Sequence, residues 1–165
     1  MKSLPNTLPP LVTDRLLLRA MRESDIEELF AIYGDPEVMR YASDDAFSDP
    51  RIVLDMLASV DQLLAKGTSL EWGIEERSGE LIGTCGLHSF EPTNSSSMVG
   101  CLLARKAWGK GYMHEALVAM FRYAKLDLGL ICLRADIDAH NTRAIRLFRT
   151  FGFQHVHATF YECVL

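Results

Sequence analysis

The stretch Lys106-Ala107-Trp108-Gly109-Lys110-Gly111-Tyr112-Met113-His114-Glu115-Ala116 carries the clearest chemical signal in the chain. It follows the apolar run Met98 to Ala104 and opens a strongly helical segment. A strand that feeds a glycine-rich turn into a helix start presents several backbone N–H groups in one direction. The helix dipole adds partial positive charge there. Gly109 and Gly111 carry no Cβ, so an anion can approach the backbone closely. Lys110 and Arg105 add formal positive charge. The chemistry implied is phosphate binding, and the expected occupant is a phosphorylated cofactor. A P-loop is excluded because G-x-x-x-x-G-K-S/T is absent. A dinucleotide fingerprint is excluded because His114 stands at its third glycine.

Other residues could move protons or hold a ligand. His88 ends a strand-like run and titrates near neutrality, so it is the best candidate base; the alternative is a strand-end histidine facing solvent. Glu91, in the loop that follows, is a weaker candidate. Asn141 is a good helix N-cap. His155 and His157 alternate on one strand face near Glu162 and Cys163, but two histidines without spaced partners define no metal site. No metal is expected.

These residues need elements to position them. The chain has 165 residues, 48% of them apolar, enough for one domain with a sizeable core over residues 1–165. The net charge of -5 argues against a nucleic-acid partner and suits an amine-bearing one. No stretch is apolar and long enough to span a membrane, and residues 1–13 lack the apolar core of a signal peptide. Cys85, Cys101, Cys132 and Cys163 lie far apart and are expected as free thiols in a reducing, cytoplasmic setting.

Periodicity and breakers predict the elements. Arg15 to Arg19 reads as a strand. Ser24 reads as the cap of a helix from Asp25 to Tyr33, and a further turn covers Glu37 to Tyr41. A helix runs from Ser48-Asp49-Pro50 to Lys66. Strands at Leu70 to Glu76 and Leu81 to Phe90 form a hairpin, and Ser95-Ser96-Ser97 reads as a loop. A fourth strand covers Ser97 to Ala104. The helix from Tyr112 to Leu128 follows, then a strand from Leu130 to Ile137 and a helix from Asn141 to Phe151. Only Gln154 to Leu165 remain after Gly152-Phe153. Ala158-Thr159-Phe160 contains no Gly, Asn or Pro to make a turn, so one long final strand, or an irregular second one, is expected. Either leaves an exposed edge around Tyr161 to Leu165, which suggests a homodimer through this region.

The turn resembles motif A of the GCN5-related N-acetyltransferases (GNAT), Gln/Arg-x-x-Gly-x-Gly/Ala, with Lys106 at the first position. The string Trp108-Gly109-Lys110-Gly111-Tyr112 with Glu115-Ala116 resembles the branch that acetylates ribosomal-protein N-termini and small amines. So do Thr13 to Arg19 and Asp35-Pro36-Glu37-Val38-Met39-Arg40-Tyr41. Asn141 to Phe153 resembles motif B. The resemblance covers nearly the whole chain. It implies an α+β fold with a mixed, mostly antiparallel sheet of six or seven strands, about four helices, and a splay between the fourth and fifth strands.

The resemblance also implies acetyl-CoA as acyl donor, with its pyrophosphate at Lys106 and Trp108 to Met113. The pantetheine would lie in the splay, against the backbone of Cys101, Leu102 and Leu103 and the side chain of Asn141. Arg143, Arg146 and Arg149 form a solvated face, from which one could reach the CoA 3′-phosphate. Three polar positions common in the family are apolar here. Phe148 stands in the motif at the place of a tyrosine acid, beside the cofactor. Ala144 replaces a serine, and Met98 stands where a glutamate is common. His88 and Asn141 are then the candidate catalytic residues. The expected activity is transfer of an acetyl group to a primary amine, on a protein N-terminus or a small molecule, by direct attack on the thioester. The alternative is a CoA-binding module that transfers nothing.

Overall fold

The computed structural model describes residues 2–93 and 95–165. One sheet of eight strands runs in the order β1-β2-β3-β4-β5-β6-β8-β7. Its strands are β1 (Leu11–Val12), β2 (Leu16–Arg19), β3 (Ser69–Glu76), β4 (Leu81–Glu91), β5 (Ser96–Leu103), β6 (Cys132–Asp136), β7 (Gln154–His157) and β8 (Phe160–Val164). The helices are α1 (Ile26–Tyr33), α2 (Pro36–Met39), α3 (Arg51–Ala65), α4 (Tyr112–Leu126) and α5 (Thr142–Thr150). Every neighbouring pair is antiparallel except β5 and β6. The α+β class stands as predicted; among the described residues there are eight strands where six or seven were expected and five α-helices where about four were.

Alternation along the central strands sorts residues onto two faces. Leu70, Trp72 and Ile74 of β3, Cys85 and Leu87 of β4, and Val99 of β5 face the core beneath α4. That helix contributes Met113, Ala116, Leu117, Met120, Phe121 and Ala124, one stripe at helical spacing. The opposite face is covered by α1 and α3, through Leu29, Ile32, Val53 and Leu57. From Gly83 onward, even-numbered residues of β4 and β5 therefore point toward α1 and α3 and odd-numbered ones toward α4. Before the irregularity opposite Ile74 and Glu75 the order is reversed, with Leu81 under α1 and α3 and Ile82 in the α4 core.

Local chemistry explains most departures from the predicted elements. Ser24 does not cap the first helix. It lies in a 3-10 turn, Glu23–Asp25, where the Asp25 carboxylate accepts from the Arg22 N–H at 2.8 Å. Ser96 and Ser97 belong to β5 and are buried, so the loop ends at Ser95. The helix predicted to reach Leu128 stops at Leu126, and the strand predicted from Leu130 starts at Cys132. All four cysteines are free, and only Cys85 is fully buried.

The C-terminal expectation is corrected. Residues 154–164 form a tight hairpin, β7 to β8, and Ala158 takes the positive φ of +47° that the turn requires. Non-glycine residues seldom adopt this conformation, which is why the sequence hid it. β8 is an interior strand between β6 and β7, so Tyr161 to Leu165 is not a free edge. The edge is β7, whose four residues are all exposed. The edge argument for a homodimer through residues 161–165 falls with it.

Candidate active site

β5 leaves β6 after three paired positions, Ser96↔Cys132, Ser97↔Leu133 and Met98↔Arg134. From Val99 onward β5 is paired only with β4. This is the splay expected between the predicted fourth and fifth strands. The Ala104 N–H donates to the Ile82 carbonyl at 2.8 Å. By alternation, Leu102 and Gly100 also turn their backbone groups to β4, while those of Cys101 and Leu103 face the gap. Leu102 is thus poorly placed for the backbone role expected of it. The Leu103 carbonyl accepts from Trp108 Nε1 at 2.7 Å, so one of its lone pairs is taken. Cys101 is left as the residue whose N–H and C=O both face the gap. Burial pushes its thiol up to about 12, which keeps the sulfur neutral.

The glycine-rich turn lies at the wide end of the gap. Gly109 and Gly111 have φ of +74° and +78°, conformations that L side chains rarely adopt. No side chain caps α4. Its first intrahelical bond is from Glu115 N–H to Gly111 C=O. The N–H groups of Tyr112, Met113 and His114 therefore have no intrahelical acceptor and point out of the helix start. A left-handed glycine turn with three outward donors is a cradle that fits a pyrophosphate.

The surrounding charges sort differently from the sequence expectation. Lys106 pairs with Glu80, and Arg105 pairs with Asp35 at 3.1 Å. Both cations are engaged by carboxylates outside the turn. Arg15 takes a place the sequence did not suggest. It donates to the Lys110 carbonyl at 2.9 Å, lies 4.6 Å over the Tyr112 ring, and bridges to Glu115 at 2.6 Å. Glu115 also accepts from Thr13 Oγ1 at 2.6 Å and from the Arg15 N–H at 2.8 Å. This glutamate pins the N-terminal loop to α4 and is structural. Arg143 stacks 3.6 Å over the Trp108 ring and joins the start of α5 to the turn.

Asn141 caps α5, with Oδ1 accepting from the Ala144 N–H at 3.1 Å. Its Nδ2 can still donate to a ligand. Phe148, expected beside the cofactor, is 3% exposed and meets Phe153 edge-on at 5.0 Å. Its place is the core, and it does not supply the missing acid.

His88 lies on the face toward α1 and α3. Its ring sits over Gly100, with Nε2 3.8 Å from where a Cβ would stand on that glycine. Its Nδ1 lies 3.1 Å from Ser89 Oγ. Ser89 has φ of +51° and begins an irregularity in the β4–β5 pairing between His88 and Glu91. Bulges of this kind re-aim side chains. Burial lowers the imidazole's proton affinity, so His88 is neutral at pH 7.

A cavity of about 490 Å³ opens here, lined by Leu63, Gly67, Ser69, Glu71, His88 and Phe90 among others. Glu71 was missed in the sequence. Its signal was a single carboxylate inside the apolar strand Leu70-Glu71-Trp72-Gly73-Ile74. Ser69 Oγ donates to it at 2.5 Å. Burial pushes Glu71 up to about 7, against the lowering effect of that bond. Tyr33 of α1 covers the same face, 3.0 Å from Thr84 Oγ1, and is pushed up to about 12 by burial. The end of α3 and the turn that follows it supply Leu63, Gly67 and Thr68 to the lining. A larger, open groove of about 1000 Å³ runs along the outer side of α4 from Gly111 to Asp127. It lies across the sheet from Glu71 and His88. His155 and His157 sit on the exposed β7 edge, far along the sheet, and no group of three potential metal ligands occurs among the described residues.

Comparison with known proteins agrees with this geometry. The acetyltransferase (GNAT) domain model matches residues 15–154. An uncharacterized N-acetyltransferase, p20 of Bacillus licheniformis, is 32% identical over 145 residues, 87% of this chain and 82% of its own. The ribosomal protein uS5 alanine N-acetyltransferase of Escherichia coli is 24% identical over 150 residues, 87% of this chain and 77% of its own. The solved structure of RimL, a ribosomal L7/L12 α-N-protein acetyltransferase, in complex with coenzyme A superposes with a TM-score of 0.82 at 15% identity, over 95% of this chain and 98% of that one. The chain belongs to the GNAT acetyltransferase family, the acetyl-CoA-dependent acyltransferases.

Proposed function

We propose that the protein transfers an acetyl group from acetyl-CoA to a primary amine by direct attack on the thioester. The observation that carries this reading is the combination of the gap beyond Met98 with the donor cradle at Gly109 to His114. The cradle binds the pyrophosphate of acetyl-CoA. The pantetheine lies in the gap as an added strand against Cys101, and the Cys101 N–H donates to the thioester oxygen as charge develops there. Asn141 Nδ2 meets the pantetheine arm from the start of α5. The amine enters from the face that carries Glu71 and His88.

The relatives' names support the same class: a ribosomal-protein alanine acetyltransferase by sequence, and a CoA complex of RimL by fold. Gly111→Asp is the test of the cradle. It places a side chain at φ +78° beside Arg15 and adds negative charge where the pyrophosphate sits. Calorimetry should show acetyl-CoA affinity reduced at least tenfold, while the melting temperature stays within a few degrees of wild type. Unchanged affinity would place the cofactor elsewhere.

A further inference from the structure

Glu71, Gly86 and Gly100 stand in one row across β3, β4 and β5, by the pairings Glu71↔Gly86 and Gly86↔Gly100. All three point to the face under α1 and α3. Two glycines in succession leave a trough with no side chains on its floor. The Glu71 carboxylate lies in that trough: its Oε2 is 1.8 Å from where a Cβ would stand on Gly86. Neighbouring strands are about 4.8 Å apart. The carboxylate thus lies over β4, about one strand spacing from β5 and its gap-facing Cys101. The next position toward β5 is Gly100, so the floor there carries no side chain of its own, and the His88 ring lies over it with Nε2 3.8 Å from where a Cβ would stand.

We infer that Glu71 is the acceptor-binding residue and general base of the acetyl transfer, and that the site takes a primary ammonium carried on an uncharged body. This rests on the reading given under Proposed function. The resemblance to the family puts a carboxylate on β5, where Met98 now stands. Here a carboxylate reaches the same face from β3, two strands away.

The step balances without further reagents. The Glu71 carboxylate takes one proton from the bound ammonium. The amine nitrogen's lone pair forms the C–N bond to the thioester carbonyl carbon. The carbonyl oxygen gathers charge at the Cys101 N–H. The C–S bond breaks, and the second amine proton goes to the departing thiolate. The Glu71 proton returns to solvent through the cavity.

The substrate class follows from the lining. It holds one carboxylate, one imidazole, and no lysine or arginine among the described residues. A free amino acid would bring its own carboxylate next to Glu71 with no cation to meet it. A polyamine would find a partner for one charge only. The titratable groups facing Glu71 from the packed elements are Tyr33 of α1 and His88 of β4, while Cys85 lies on the opposite face of β4 in the core beneath α4. Tyr33 holds its proton and His88 is neutral at pH 7, so Glu71 is the charge that an ammonium meets.

The test compares wild type, Glu71→Gln, Gly86→Ala and His88→Asn. Each is assayed with acetyl-CoA and four amines: a short peptide amide with a free N-terminus, a small monoamine with a neutral body, a free amino acid, and a polyamine. Binding of each amine to the protein–CoA complex is measured by calorimetry, and product by mass spectrometry. Wild type should acetylate the peptide or the monoamine at least tenfold faster than the other two, and the faster of the pair identifies the source of the amine. Glu71→Gln should lose at least a hundredfold in kcat/KM and weaken amine binding, with acetyl-CoA affinity unchanged. The acidic limb of the kcat/KM profile near pH 7 should vanish in Glu71→Gln and persist in His88→Asn. Gly86→Ala keeps the carboxylate but displaces it, so its loss would show that position matters and not folding. Persistence of the limb and the rate in Glu71→Gln would overturn this assignment alone. Loss of the limb only in His88→Asn would transfer the role to His88 and overturn it also. No acetylated amine from the wild-type chain would overturn the acetyl-transfer reading and this assignment together.

Discussion

The Glu71 carboxylate occupies the space that a side chain on Gly86 would need, with Oε2 1.8 Å from the missing Cβ. Gly86 is thus not a turn or hinge glycine. It is the vacancy that lets a charged group from β3 lie flat across β4. Gly86→Ala pushes that group aside, and the flexible end of a glutamate can yield. The expected result is a small loss of melting temperature, a few degrees at most, with a fall in kcat/KM of tenfold or more. Thermal unfolding and steady-state kinetics on one preparation check it. An alanine variant with full activity would show that the carboxylate's position is irrelevant.

The same carboxylate has a signature in stability. Its proton affinity is raised, to about 7, chiefly by burial, whereas the unfolded chain titrates near 4.5. The native state therefore holds the proton more tightly. The contribution is fully present below about pH 4.5, and stability is lost as pH rises from there through 7, by about 3 kcal/mol at most. Glu71→Gln removes this slope, so urea unfolding should find the variant more stable than wild type at pH 8 and level with it at pH 5. A wild-type profile that is flat over this range, matched by the variant, would contradict the placement of Glu71.

Arg19 and Asp25 form a buried pair, with side chains 9% and 8% exposed. Both guanidinium nitrogens Nη1 and Nη2 donate to the carboxylate at 2.8 Å, and Nε donates to Glu75 at 2.5 Å. Burial alone would raise Asp25. The bonds from Arg19 and from the Arg22 N–H outweigh it and hold the carboxyl below its usual value. Asp25 thus adds stability above about pH 4, which is lost as pH falls through its lowered native value. Arg19→Met leaves that carboxylate buried with one partner fewer, at a cost of about 3–5 kcal/mol. Chemical denaturation at pH 7 measures it, and a cost under 1 kcal/mol would show the pair to be dispensable.

Much of this was legible in the sequence where local chemistry and tertiary packing agree. The helical segment that opens at Tyr112 reads as α4, and Gly109 with Gly111 gave the turn ahead of it; the packing stripe Met113, Ala116, Leu117, Met120 and Phe121 agrees with that reading. The splay came from resemblance, and the end of pairing at Met98↔Arg134 supplies its geometry. Other features depend on residues far apart in the chain. Glu71 looks like an ordinary strand residue until pairing lays it over Gly86. Lys106 looks like a phosphate ligand until Glu80 claims it. Phe148 looks like a site residue until Phe153 buries it. Ala158 could not announce a turn, because its conformation is imposed by the pairing of β7 with β8.

That hairpin makes its own prediction. A chain ending at Ala158 loses β8, the strand that joins β6 to β7, through the pairings Cys132↔Val164 to Asp136↔Phe160. It also exposes Leu133 and Ala135, now 0% and 1% exposed. The truncated chain should be insoluble or lack a cooperative unfolding transition, as circular dichroism during heating would show. A folded, soluble truncation with wild-type melting would mean that β8 contributes little.

The most direct measurement is acetylation itself. The intact chain, incubated with acetyl-CoA and a panel of primary amines at pH 8, should release free CoA thiol in step with an amine product heavier by one acetyl group. Release should depend on the amine and fall sharply in Gly111→Asp. Acetyl-CoA bound at the glycine turn with no acetylated product from any amine would contradict the account, and would leave a domain that holds the cofactor without transferring from it.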